Sequence, residues 1–244
     1  MKKRISLYVL GSIFFGILSG AVSTSVLAGG PSPEEILKKA DEIRNPGESY
    51  LMKIEVVNGA QSENRSLFEV AIQGNHKTLI KTLEPARDRG RNMLMLDENM
   101  WAFIPNLNRA VRVALNQKLT GQAANGDISR MRWSGDYTPT LESETPTAWI
   151  LFLSANKKGL TYDKIRVWVE KKNFFPLKAE FLTLAGKPLK TAVYQDNLML
   201  AGKLRPGTMK IQDALRSDDI SFIHVKEMKI KTFPDSLMNQ NSLR

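Results

Sequence analysis

Few residues in this chain could carry out a reaction. His76 and His224 are the only histidines, and there is no cysteine. Each histidine falls inside a strand-like run, far from the other, where it reads as a surface or satisfied core residue. The paired histidines of a zinc peptidase, a thiol pair and the serine elbow of a hydrolase are all missing, as is a glycine loop that could cradle phosphate. Asp218 and Asp219 sit in a turn and read as solvated. Acids that meet only in space, as in glycoside hydrolysis, leave no local motif. The expectation is a protein that binds rather than catalyses, with no catalytic residue, no metal and no cofactor.

The densest stretch is Arg87-Asp88-Arg89-Gly90-Arg91-Asn92-Met93-Leu94-Met95-Leu96, followed by Trp101-Ala102-Phe103-Ile104-Pro105. If its first part is extended, Arg87, Arg89 and Arg91 form a cationic stripe beside an apolar strand. One reading gives Arg89 and Arg91 an anionic headgroup at a rim, with Met93, Met95 and Trp101 touching acyl chains. Methionine suits that work, since its unbranched thioether adapts to varied shapes. The other reading is a hydrated charged face beside ordinary core residues. Met93, Met95, Trp101, Phe103, Val167, Val169 and Phe181 are the cavity-lining candidates. Alternation fixes which residues share a face but not which face is concave, so Leu94 and Trp168 stay open alternatives.

The elements that would position these residues are mainly strands. One helix is well signalled: Ser32 as N-cap, Pro33 at the first helical position and Glu35 three residues on make a capping box. Ile36, Leu37, Ala40 and Ile43 follow at helical spacing, and Asn45-Pro46-Gly47 stops the run. From Glu48 onward the period is two. Strands are expected near 48–58, 64–73, 76–84, 90–97, 100–105 and 109–114, then near 148–154, 161–171, 175–184, 188–197, 207–213 and 220–232. Turn dipeptides such as Asn58-Gly59, Gly74-Asn75 and Ala185-Gly186 separate them, which favours antiparallel neighbours. Between the two sets lies an irregular insertion, 115–144, with one helix expected near 127–133. Ile165, Val167 and Val169 share a face opposite Arg166 and Trp168; a sheet with one apolar face needs a cover. Helical cover is scarce, which leaves either a closed core or a concave apolar surface that a ligand fills.

The N-terminus reads as a secretory signal: Lys2, Lys3 and Arg4, then an uncharged apolar run, then small residues ending at Ala28. Cleavage after Ala28 would leave 29–244 as one exported domain and remove three positive charges from a chain of net charge +10. A retained anchor is the competing reading, disfavoured by Ser12, Gly16, Ser19 and Gly20 in the run. Export, and the absence of a compact basic run with stacking aromatics, argue against nucleic acid. Anionic membrane surfaces fit the charge better, and simple solubility fits it as well.

The segment Arg89-Gly90-Arg91-Asn92-Met93-Leu94, with Trp101-Ala102-Phe103-Ile104-Pro105 and Arg109, resembles the core of the outer-membrane lipoprotein-sorting protein family, relatives of the LolA/LolB-type periplasmic lipoprotein carriers. Tyr162 to Val169, Phe175 to Phe181 and Gly186-Lys187 resemble a second block in the same order, and Phe233-Pro234-Asp235 a weaker third. The resemblance implies a curled antiparallel sheet, an unclosed half-barrel with a few lid helices, that shelters acyl chains. It implies a periplasmic carrier of acylated lipoproteins or lipids in outer-membrane lipoprotein sorting, with transient membrane contact, an inner-membrane transporter as donor and an outer-membrane acceptor. Members of the wider family also resemble accessory proteins of lipid-exporting transporters, which is the alternative. Residues 125–137 depart from the family's acidic-aromatic pattern in the part of the chain expected to form the lid.

Overall fold

The computed structural model describes residues 29–59, 64–74 and 76–243. The expected signal segment 1–28, its cleavage after Ala28 and Asn75 of the expected Gly74-Asn75 turn lie outside the described residues. Helix α1 (Pro33–Arg44) begins where the sequence places it, with the Ser32 hydroxyl accepting from the Glu35 amide at 3.2 Å. It ends at Asn45, whose backbone is extended and whose amide still donates to the Asp41 carbonyl at 2.8 Å.

The strands follow as β1 (Tyr50–Asn58), β2 (Arg65–Gln73), β3 (Lys77–Glu84), β4 (Met93–Leu96), β5 (Asn99–Ile104) and β6 (Arg109–Val113). A small hairpin, β7 (Lys118–Thr120) and β8 (Ala123–Ala124), leads into α2 (Asn125–Ser129). Then come β9 (Tyr137–Glu144), β10 (Ala148–Ala155), β11 (Lys164–Glu170), β12 (Pro176–Leu182), β13 (Pro188–Leu200), β14 (Lys203–Asp213) and β15 (Ile220–Ile230). Thirteen of these form one antiparallel sheet in the order β6-β5-β4-β3-β2-β1-β15-β14-β13-β12-β11-β10-β9. Every neighbour is also a neighbour in sequence except β1 and β15, which join the two runs. The sheet is not closed: β6 and β9 are its edges.

Alternation gives the sheet two apolar faces of unequal size. One carries Met52, Ile54, Val56, Val70, Met93, Met95, Leu153, Ile165, Val167, Val169 and Phe181, and packs against Ile36, Leu37 and Ala40 of α1 and Ile128 of α2. The intervening residues Ala71, Leu79, Leu94 and Phe103 face the other way and are covered by Met238 and Leu243 of the C-terminal tail. That tail makes two short 3-10 turns, Asp235–Leu237 and Gln240–Leu243.

Three expectations need correction. The insertion 115–144 contains an edge strand, β9, and its helix spans Asn125–Ser129, earlier and shorter than expected. The arginine run is not extended: Ala86–Asp88 forms a 3-10 turn, closed by the Asp88 amide on the Pro85 carbonyl at 2.9 Å. The scarce helical cover is supplemented by irregular segments, which bury Leu115, Trp133, Leu160 and Tyr162 against the larger face.

Candidate functional site

The larger face has an apolar, methionine-rich recess over β1, β15, β14 and β13. There Met52, Ile54, Met131, Met209, Ile223, Val225 and Met228 line a tight recess with about 40 Å³ of free space, with Arg44, Asp127, Tyr194 and Pro206 around it. The recess lies where the sheet divides. β14 pairs with β15 only from Thr208 to Gln212, opposite His224 to Ile220. Beyond that, β14 continues to Lys203 paired with β13, and β15 continues to Ile230 paired with β1. Pro206 cannot donate to a ladder, and a bulge in the β1–β15 register at Lys53/Ile54 turns β15 away at the same level.

Segment 115–136 covers this region as a plug, and polar contacts hold it. Asp41, fully buried on α1, accepts from the Trp133 and Ser134 amides at 2.8 and 2.6 Å and faces Arg44 at 3.3 Å. Burial pushes its carboxyl above the usual range, against the pull of Arg44 and the two amides. Arg44 donates to the Met131 carbonyl, with its guanidinium 3.7 Å from the centre of the Trp133 ring. A second tie joins Arg130 to Asp136 through two bonds of 2.5 and 2.7 Å and to the Asp97 carbonyl at 2.7 Å, with Glu98 and Lys157 beside it. A third gathers on Asp127, which accepts from Lys190 at 2.6 Å, from the Tyr162 hydroxyl at 2.7 Å and from the Ala124 amide at 2.8 Å.

The plug's first turn is pinned to the sheet end. Asn58 donates to the Thr120 hydroxyl, and Ser221 accepts from the Gln122 amide, both at 2.9 Å. Gly121 has φ of +53°, and a Cβ there would lie 1.8 Å from the Asn58 Oδ1, so only glycine fits.

A second and roomier recess, with about 260 Å³ of free space, lies between β2, β4, β5, β6 and β7. Phe68, Met93, Ala102, Val113 and Leu119 give it apolar walls, and Arg91 and Lys118 stand at its edge.

A model of a family described as "Uncharacterized protein" matches residues 74–244. A LolA superfamily protein from Nitrosomonas europaea is 34% identical, with a TM-score of 0.81 over 87% of this chain and 100% of its own. This chain belongs to the LolA superfamily. A Vibrio parahaemolyticus domain assigned to outer membrane lipoprotein sorting shares the fold at 19% identity and TM-score 0.70, covering 86% of this chain and 97% of that one. A DUF1329 family protein from Desulfovibrio piger does so at 17% and 0.72, covering 88% and 100%. No curated protein matches the sequence.

Within this LolA-superfamily sheet the expected cavity residues separate. Met93, Met95, Val167, Val169 and Phe181 lie on the larger face, but Met95, Val167 and Val169 are wholly buried in packed core. Met93 borders the second recess, and Phe181 a small space next to Tyr194. Trp101 and Phe103 belong to the opposite cluster under the C-terminal tail, although Phe103 also borders the second recess. The register explains the split: Met93 stands opposite Ala102 and Leu94 opposite Trp101, so Trp101 cannot share a face with Met93. Of the two open alternatives, Leu94 lies in that tail-covered cluster, and Trp168 points away from its neighbours Val167 and Val169. Arg89 is exposed and donates to the Leu83 carbonyl at 3.2 Å, while Arg91 folds back on Asp88 at 3.3 Å and reaches the edge of the second recess.

An apolar hollow was expected, but none of the residues named for it lines the central recess. Its signal in the sequence is weak: methionines 52, 131, 209 and 228 are scattered through the chain, and only the fold assembles them. His76 stands exposed beside Asp97, and His224 bonds Thr208 and stacks on Phe222. Among the described residues no cluster of His, Asp and Glu is arranged to hold a metal ion.

Proposed function

We propose that this protein is a non-catalytic periplasmic carrier that takes acyl chains of lipoproteins or lipids into its central recess and passes them between membranes. The observation that carries this reading is an apolar, methionine-rich recess on the sheet beneath segment 115–136, which three groups of hydrogen bonds and ion pairs tie down in addition to the apolar contacts of Leu115, Ile128 and Trp133. Each methylene withdrawn from water is worth about 0.8 kcal/mol, so a diacyl anchor crosses an aqueous gap only inside such a shelter. Polar ties suit a movable cover, because water can replace them when the plug lifts, as it cannot for a packed apolar contact. Cargo would come from an inner-membrane transporter and go to an outer-membrane acceptor. The division between β14 and β15 offers a lateral mouth.

The test is uptake of a fluorescent acyl probe by purified protein, with native mass spectrometry of protein from its own host. Saturable one-to-one uptake, blocked by a bulky side chain at Met209, supports a carrier. Protein always free of lipid and indifferent to the probe contradicts it.

A second reading, an accessory protein of a lipid-exporting transporter, draws on exposed Leu189, Val193, Met199 and Leu204 along β13 and β14. It calls for a stable transporter complex lost on Val193→Glu while probe uptake persists.

A further inference from the structure

The polar groups around the central recess are almost all committed. Arg44 is engaged by Asp41 and the Met131 carbonyl, and Asp127 by Lys190, Tyr162 and the Ala124 amide. Thr208 Oγ1 meets His224 Nδ1 at 3.0 Å, and Asn45 donates to the same Met131 carbonyl at 3.2 Å. One group is different. The Tyr194 hydroxyl is buried without a hydrogen-bond partner, and among the described residues it is the only such side-chain group on the recess wall. A buried hydroxyl left unpaired costs about 1–3 kcal/mol, and here it borders both the central recess and the small space beside it. Its ring is fixed, edge-on to Trp133 at 6.5 Å, so the hydroxyl's position is set by packing.

The surrounding charges narrow the partner. On the wall of the central recess Arg44 is balanced by Asp41 and Asp127 by Lys190, so that wall offers neither a spare cation for a carboxylate or phosphate nor a spare anion for an amine; Arg132, whose buried Nε also lacks a partner, lines only the small space beside it. Burial raises the Tyr194 hydroxyl's pKa above its ordinary value, and it remains a donor throughout the neutral range. A phenol hydroxyl can donate and accept, and on an apolar wall beside acyl chains the neutral group that brings an acceptor to it is a carbonyl, to which it donates. We infer that Tyr194 is a specificity residue that donates to the ester or amide carbonyl of an acyl ligand in the central recess, selecting acyl groups over plain hydrocarbon. This rests on the carrier reading and names the chemistry of its cargo. The carbonyl could belong to a glycerolipid or to the acylated N-terminus of a lipoprotein.

The experiment compares wild type with Tyr194→Phe, which keeps the ring and removes the hydroxyl. Three probes are titrated: dioleoylglycerol, a synthetic diacylated lipopeptide and hexadecane. Thermal unfolding checks the fold, and Tyr194→Phe should unfold at or slightly above the wild-type temperature. Both carbonyl-bearing probes should bind the variant about three- to tenfold more weakly, the worth of one hydrogen bond, with hexadecane unchanged. The probe that binds wild type more tightly identifies the source. Equal affinity of wild type and variant for all three, or an equal loss for hexadecane, overturns the assignment. If wild type takes up none of the three, the carrier reading fails and this assignment with it.

Discussion

Two regions of one apolar face are built by different rules. Over β10, β11 and β12 the residues are Leu151, Leu153, Ile165, Val167, Val169 and Ala179, each with no measurable exposure. Over β1, β15 and β14 they are Met52, Met228 and Ile223, which are buried, and Met209 and Val225, which are half-buried, beneath a segment without a long helix. Branched side chains hold one rotamer and interlock, whereas methionine has three free torsions and fills whatever shape is offered. In the carrier reading proposed above, the wing specifies the fold and the centre is the part to be emptied and refilled.

The comparison breaks most visibly by enlarging one residue in each region. Val167→Trp should cost at least about 3 kcal/mol in denaturant unfolding, because a packed core has nowhere to put the ring. Met209→Trp should cost less than Val167→Trp and abolish uptake of an acyl probe, because Met209 is only half-buried at the recess and its neighbours there are adaptable methionines. Equal penalties would mean that the two regions are the same kind of core.

Next is Asp41→Asn, which leaves Arg44 without its carboxylate and weakens the grip on the Trp133 and Ser134 amides. Removing one member of a buried pair costs about 3–5 kcal/mol. Hydrogen exchange should rise first at 131–134, with the β10–β12 amides unaffected.

Gly121→Ala forces a side chain into left-handed backbone and against Asn58. About 1–3 kcal/mol is expected, with loosening of the β7–β8 turn seen by exchange.

The smallest effect is on pH. The Lys157 hydrogen bond holds the Glu98 carboxyl below its ordinary range. Its contribution is therefore complete above the unfolded carboxylate value and is lost as pH falls through the lower folded one. Glu98 is partly exposed, so less than about 1 kcal/mol is at stake. Glu98→Gln should flatten the acid limb of stability measured from pH 6 to 3.

How much could be read beforehand follows the same division. The α1 cap is local chemistry, and Ser32, Pro33 and Glu35 announce it. The Ile165-Val167-Val169 face repeats every second residue, so its burial was legible. β9 was not: only Tyr137 and Pro139 in it are buried, and an edge strand with one wet face and charged tips carries no periodic signal. The pairing of Met93 with Ala102 rather than Trp101 depends on the β4–β5 turn, and a one-residue offset exchanges the faces. The methionine recess was least visible, because its walls come from residues as far apart in sequence as Met52 and Met228 and it lies where the β14–β15 pairing ends.

The most direct test is hydrogen exchange across residues 125–134 with and without a saturating acyl probe. A plug that lifts independently should exchange through an opening well below the global unfolding free energy, and its protection should change on loading while the β10–β12 wing stays constant. Exchange at 125–134 that occurs only with global unfolding, and is identical in both states, would contradict a movable cover over a fillable recess.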